Sequence, residues 1–174
     1  MTTHREGDLA RRSGGGSGRR ARDDTQQRRR QRVGAYGIAH DANGRILLVR
    51  AAPDLTVAGQ WFLPGGGVEH GEAPFEALQR EVAEETGLAV RSATLLGVLS
   101  DTWPVPGDTL LHSVRLIYRI DGWDGELVHE ASGTSDLAEW FARSELVDVP
   151  LVRYVHEALA RFGTESAHRW PGGG

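Results

Sequence analysis

The chain has 174 residues, of which 39% are apolar and 25% charged, and no cysteine, as expected for one ordinary globular domain. Without cysteine, disulfides, thiolate nucleophiles and thiolate metal sites are excluded, so a bound metal would rely on oxygen or histidine nitrogen. The formal charge of −4 hides an asymmetry: residues 1–32 hold ten Arg against four acids, a net of +6, which leaves −10 on residues 33–174. An acidic body draws polyanions poorly, so phosphate binding would need a divalent cation or local Arg residues as a bridge.

From Met1 to Arg32 the composition is Arg, Gly, Ser, Gln and Asp, which buries too little surface to fold, and a disordered Arg-rich tail is expected. No signal-type apolar segment opens the chain and no run is long enough to cross a bilayer, so a cytoplasmic protein without membrane contact is expected. A folded domain then spans 33–163, followed by a flexible tail over 164–174 that ends in Pro-Gly-Gly-Gly.

Within the domain, Val33 to His40 and Ile46 to Val49 read as strands joined by the turn Asp41-Ala-Asn-Gly44. Trp61 to Leu63 reads as a short strand entering a Pro64-Gly-Gly-Gly67 loop. Pro74 to Thr86 is the clearest helix: Pro stands first, Gly87 follows the end, and Phe75, Leu78 and Val82 form an apolar stripe. Its start is weakly capped, because Ala73 has no side-chain acceptor. Strands are expected at Thr94–Leu99, Leu110–Ile120, Glu126–His129 and Ala138–Phe141, with a Pro-rich loop over Thr102–Asp108 between the first two. A last helix is expected from Leu151 to Phe162, with Val152, Val155, His156 and Leu159 facing inward. Strands before, between and after two helices indicate an α/β sandwich with a mixed sheet.

The chemistry concentrates on the first helix. Glu81, Glu84 and Glu85 stand at i, i+3 and i+4, so three carboxylates share one face, and no basic residue follows in the last turn. A hard divalent cation would relieve their repulsion, and all-oxygen ligation suits Mg²⁺ or Mn²⁺. Just upstream, Pro64-Gly65-Gly66-Gly67 lets backbone approach a ligand or metal closely.

The whole segment has fixed spacing: Gly66, five residues, Glu72, seven residues, Arg80-Glu81-Val82, one residue, Glu84-Glu85, one residue, Gly87-Leu88. It resembles the box of the Nudix hydrolases at every defined position, a coincidence on the order of once in 10⁸ windows at ordinary residue frequencies. The box covers only Gly66 to Leu88, while the order of elements from Val33 to Phe162 is similar to the α/β/α sandwich of that family. The resemblance implies a Mg²⁺- or Mn²⁺-dependent hydrolase of MutT type that cleaves the pyrophosphate of a nucleoside diphosphate linked to another group. Glu81, Glu84 and Glu85 would be the metal carboxylates, with the main-chain carbonyl at Gly65 or Gly66 as a further ligand. Arg80 and Glu72 would pair with each other or with Glu81 and fix the carboxylate geometry. Glu81 and Glu130 are the candidates for the general base.

Recognition beyond the phosphates is less defined. Arg50 is a candidate phosphate contact, with Arg45 and Arg115 behind it, and Trp103, Trp61 and Tyr36 are candidates to stack on a base. Core packing is the better expectation for Trp61 and Trp140, and a structural role for His112 and His156. Free nucleotides, ADP-ribose and dinucleoside polyphosphates all satisfy the reading, and the family resemblance is compatible with a homodimer. Two alternatives remain open: a nucleotide-sensing module without turnover, and an enzyme acting on RNA 5′ ends in which the Arg-rich arm touches nucleic acid.

Overall fold

The computed structural model of the chain describes residues 28–53, 55–128 and 135–163. Strand β1 (Arg28–Ile38) begins five residues upstream of Val33, where the apolar pattern starts. Its first residues pair by backbone alone: Arg28 to Arg32 lie beside Thr109 to Ser113 in a parallel ladder while their side chains remain exposed. Ladder hydrogen bonding does not depend on apolar side chains, which is why hydrophobic pattern missed this stretch.

The chain continues through β2 (Ile46–Ala51), β3 (Trp61–Phe62) and β4 (Gly65–Gly67) to helix α1 (Pro74–Thr86). A long hairpin follows, β5 (Ala89–Val105) and β6 (Thr109–Asp124), then β7 (Ser135–Phe141), a 3-10 turn at Glu145–Val147 and helix α2 (Arg153–Phe162). The strands form a four-stranded sheet, β4-β1-β6-β5, and a three-stranded sheet, β3-β2-β7. The β1–β6 pair is parallel and the other pairs are antiparallel, so the four-stranded sheet is mixed, as expected.

Alternation along the strands splits the core in two. Leu47 on β2 and Tyr118 on β6 pack with Ala77, Leu78 and Val82 of α1. Their neighbours Ile46, Leu48 and Ile117 pack with Tyr154, Val155, Ala158 and Leu159 of α2. One helix therefore covers each face, the α/β/α sandwich. Fully burying a Leu or Ile side chain contributes about 1.5–3 kcal/mol, so these two clusters hold the strands that carry the site.

Four further expectations change. The segment Thr102–Asp108 is not a loop: β5 runs to Val105 and only Pro106–Asp108 turn, with Gly107 and Asp108 at φ 83° and 51°. Pro104 is tolerated because β5 is an edge strand whose outer side needs no N–H donor. The Gly65–Gly67 segment is a strand, registered as Tyr36 to Gly65, Ala35 to Gly66 and Gly34 to Gly67. On α2, Tyr154 takes the inward position expected of His156, which is exposed. The expected strand Glu126–His129 has no regular structure over Glu126–Val128, and His129 lies outside the described residues, as does the segment 164–174.

Candidate active site

Helix α1 starts at Pro74 with Ala73 N–H donating to Glu76 Oε2 at 3.1 Å, which supplies half of a capping box despite the missing side-chain cap. It stops at Gly87, whose φ of 73° and N–H to the Ala83 carbonyl at 2.9 Å make a left-handed C-cap. These ends fix which face of the helix meets the glycine strand. Glu85 is 2% exposed and accepts a hydrogen bond from Gly65 N–H at 2.8 Å. Gly65 has φ 131°, and a Cβ there would run into the Ala35 carbonyl and lie 2.8 Å from Tyr36 Cα. At Gly66 a Cβ would come within 2.5 Å of Glu81 Oε1. The two glycines thus let the carboxylates of Glu85 and Glu81 lie directly against backbone.

Arg80 organises the acids. Its Nε and Nη2 donate to the two Glu72 oxygens at 2.9 and 3.0 Å, a bidentate fork. Nη1 donates to Glu81 Oε1 at 2.9 Å and reaches Glu84 Oε2 at 3.5 Å, while Nη2 also donates to the Gly67 carbonyl at 3.1 Å. The guanidinium is therefore held well above its ordinary pKa by Glu72 first and Glu81 second. In return the Arg80 hydrogen bonds, helped by the Glu69 N–H, hold the Glu72 carboxyl below the ordinary glutamate value. Glu84 is left the most open, its side chain 53% exposed.

Beside these acids the sheet presents an aromatic and cationic floor. Buried Arg115 donates to Asp101 Oδ1 at 2.5 Å, and its guanidinium lies 4.5 Å from the Tyr154 ring centre and 5.1 Å from that of Trp103. Tyr36 and Tyr154 meet at 5.2 Å between ring centres. Burial raises the pKa of both hydroxyls, and Glu85 adds to the rise in each case. Both phenols are thereby kept neutral next to the acids.

The NUDIX domain model matches residues 29–162, most of the chain and nearly all of its described part. The chain belongs to the Nudix family. It is 33% identical over 121 residues to an ADP-ribose pyrophosphatase of Methanocaldococcus jannaschii, covering 70% of this chain and 66% of that protein. It is 33% identical over 92 residues to an 8-oxo-dGTP diphosphatase of Escherichia coli, covering 53% and 67%. The chain thus spans about two thirds of the length of these two relatives. Among solved structures, a MutT NUDIX hydrolase from Burkholderia pseudomallei superposes with a TM-score of 0.64 at 32% identity, over 76% of this chain and 98% of that one.

The Nudix helix and the glycine strand bring together Gly65, Gly66, Glu72, Arg80, Glu81 and Glu85, with Glu84 one turn along the same helix. Among the described residues no three His, Asp or Glu side chains form a metal-binding cluster. Glu81 is turned onto Arg80, and Glu85 onto Gly65 N–H. The donor set nevertheless fits a hard divalent cation in kind: three carboxylates on one helix face, opposite a strand whose glycines leave no Cβ in the way.

Other candidates separate from this centre. Arg50 is bound bidentately by Asp136, Nε to Oδ1 at 2.8 Å and Nη2 to Oδ2 at 3.0 Å, and lies 5.8 Å from the Trp61 ring centre. It belongs to the three-stranded sheet and pairs across strands rather than with Gly65–Gly67. Arg45 is engaged by Asp41 at 2.7 Å. Trp61 is core, edge-on to Phe141 at 4.7 Å, and Trp140 packs 5.8 Å from Trp123. Trp103 lies in β5 on the face that holds Arg115. Glu130 lies outside the described residues. Asp101, Asp136 and Tyr154 were not singled out in the sequence, because only strand register and helix phase bring them to their Arg partners.

Proposed function

We propose that this Nudix protein hydrolyses the pyrophosphate linkage of a nucleoside diphosphate derivative, with Mg²⁺ or Mn²⁺ held by Glu81, Glu84, Glu85 and the Gly66 carbonyl. The observation that carries the reading is the packing of Glu85 and Glu81 against Gly65 and Gly66, with Arg80 fixing Glu72 and Glu81. Holding a reactive geometry this tightly is what converts binding into rate. The cation, when bound, supplies charge neutralisation on the phosphate oxygens and lowers the energy of the departing phosphate.

The residues do the rest. A water oxygen attacks one phosphorus, a carboxylate takes the proton, and the bridging P–O bond breaks with its electron pair leaving on the other phosphate. Glu81 is the described candidate for the proton acceptor, since it lies against Gly66 on the helix face of Glu84 and Glu85 and Arg80 fixes its position. Glu130 remains the second candidate from the sequence. The phenols of Tyr36 and Tyr154, neutral through burial, close the floor without adding negative charge where a polyanion must sit. Trp103, backed by Arg115, offers the base a stacking surface. Arg50 is not needed for this reading, since Asp136 already engages it.

ADP-ribose and 8-oxo-dGTP, named for the two relatives, are the first substrates to try, together with dNTPs, NADH and diadenosine polyphosphates. Free nucleotides of this kind are cytoplasmic metabolites, and that is the compartment we assign. Wild type should release a nucleoside monophosphate in the presence of Mg²⁺ or Mn²⁺, and Glu85→Gln should lose activity by at least about 10²-fold. The amide keeps an oxygen to accept from Gly65 N–H, so the variant should fold. If wild type binds a nucleotide without turnover under either metal, the sensor reading replaces this one.

A further inference from the structure

Upstream of Val33, strand β1 has a neighbour on one side only. Its register with β6 runs from Arg28 to Ile38, whereas β4 lies beside it from Gly34 to Tyr36, with one more bond from Val68 N–H to the Val33 carbonyl. Backbone groups alternate sides along a strand, and Arg28 N–H donates to the Asp108 carbonyl at 3.0 Å, on the β6 side. Arg30 and Arg32 keep that phase. Arg29 and Gln31 therefore turn their N–H and C=O groups the other way, in the phase by which the Val33 carbonyl accepts from Val68 and Gly37 N–H donates to the Pro64 carbonyl. Among the described residues no strand meets them there, so two donors and two acceptors line an open edge.

Side chains alternate about the same edge. Arg28, Arg30 and Arg32 rise on one face of the sheet at intervals of about 6.6 Å and Arg29 on the other, all of them exposed. Among the described residues no carboxylate pairs with any of the four, although residues 33–174 carry a net −10. Charged side chains keep an edge strand from pairing at random, so these cations act as a filter on what can add. A second copy of the same strand would set Arg against Arg, and like charges directly opposite destabilise a ladder. A strand with acids at every second residue instead sets a carboxylate opposite each of Arg28, Arg30 and Arg32, because both strands have the same repeat. A polynucleotide answers the charge alone, since its phosphates accept from Arg29 and Gln31 N–H but offer no donor to their carbonyls.

We infer that the open edge of β1 from Arg28 to Arg32 is a docking site for an extended acidic peptide of another protein, which adds to the sheet as a strand. Carboxylates of its alternate residues face Arg28, Arg30 and Arg32, and its backbone supplies the acceptors and donors that Arg29 and Gln31 lack. The site is separate from the α1 acids. Arg32 reaches the glycine strand only at Gly67, where a Cβ would lie 3.4 Å from its guanidinium. Docking does not involve Glu81, Glu84 or Glu85, so it stands whether or not the chain hydrolyses nucleotides.

The experiment uses the full chain and a fluorescein-labelled nine-residue peptide in which Glu alternates with Thr, titrated by anisotropy near physiological salt. Gln31→Pro separates a ladder from a charge contact: it removes an N–H that faces away from β6, where an edge strand tolerates proline, and it keeps every Arg. This variant should melt as wild type and bind a ten-nucleotide oligo(dT) as wild type, yet lose the peptide by at least about 10-fold. Arg28→Gln/Arg30→Gln should lose it by a similar factor, with hydrolysis of free nucleotides unchanged. A peptide of the same composition with its Glu residues in one block should bind wild type more weakly than the alternating one. If Gln31→Pro melts lower, the peptide N-methylated at its Thr or at its Glu nitrogens puts the same question to wild type, and one of the two should lose binding by the same factor. Full binding of both N-methylated peptides, or of the alternating peptide by Gln31→Pro, overturns the strand addition and leaves an unspecific basic patch. Oligo(dT) that displaces the peptide and binds more tightly, with the same loss in Arg28→Gln/Arg30→Gln, overturns the peptide in favour of nucleic acid. A wild-type dimer in sedimentation that Gln31→Pro dissociates overturns it in favour of a second copy.

Discussion

Two adjacent glycines do different work, and single substitutions should separate them. At Gly65 the backbone has φ 131° and any Cβ meets the Ala35 carbonyl and Tyr36 Cα, both parts of a paired strand that cannot yield. Gly65→Ala should therefore lose at least about 1–3 kcal/mol of stability, visible as a lower Tm. At Gly66 the added methyl meets only the end of the Glu81 side chain, which can swing aside. Gly66→Ala should melt close to wild type yet displace Glu81 by an ångström or so, enough to lower kcat about 10²-fold. Equal Tm losses in the two variants would show that Glu81 is not free to move, and an active Gly66→Ala would remove Glu81 from the reaction. At this scale the sequence was informative about identity and not about partners. Glu81, Glu85 and the glycines were visible in their spacing, but that Glu85 would be buried on Gly65 N–H depends on how a strand docks onto a helix face. Likewise Arg50 looked free to meet phosphate until β7 placed Asp136 beside it.

Helix α1 acts as a unit because Arg80 ties its acids to the segment before it. The fork onto Glu72, the bond to Glu81 and the bond to the Gly67 carbonyl use a planar donor set that an ammonium does not reproduce. Arg80→Lys should keep the helix, whose core residues Ala77, Leu78 and Val82 are untouched, and should lower kcat about 10–100-fold with little change in KM. The pH dependence follows from Glu72. Its carboxyl is held below the ordinary glutamate value of 4.5 by Arg80 and the Glu69 N–H. A depressed folded-state pKa means that the pairing stabilises fully above the ordinary value and is lost as pH falls through the lowered one. Thermal melts of wild type and Glu72→Gln should therefore differ most near neutral pH and converge under acid conditions; a constant gap would show that the pairing does not set this dependence. The boundaries of α1 were legible because Pro74 and Gly87 act locally. Those of β5 were not, because Pro104 breaks a strand only when its missing N–H faces a neighbour, and sheet position is a tertiary fact.

At the scale of the molecule, the sandwich gives each helix its own sheet face and leaves the end of the long hairpin projecting beyond both. There β1 contributes Arg28 to Arg32 as a third strand beside β5 and β6, and the backbone of Arg28 donates to the Asp108 carbonyl at 3.0 Å. Composition alone assigned these residues to a loose tail, since nothing apolar marks them. Their contribution is a ladder: each net backbone hydrogen bond is worth about 0.5–1.5 kcal/mol, offset by about 1–2 kcal/mol for fixing each residue. What favours the ordered state is the edge they cover, where Thr109 and Ser113 are 6% and 5% exposed. A chain beginning at Val33 should then be less stable than one beginning at Arg28 by about 1–2 kcal/mol, or about 3–6 °C in Tm. Amide exchange gives the finer test. Loss of protection should spread along β6 from Thr109 to Ser113 and spare Ile117 to Ile120, which the two core clusters hold. Equal melting points with unchanged exchange at Thr109–Ser113 would mean that the Arg strand rests on the hairpin without supporting it, and the cooperative domain would then begin at Val33.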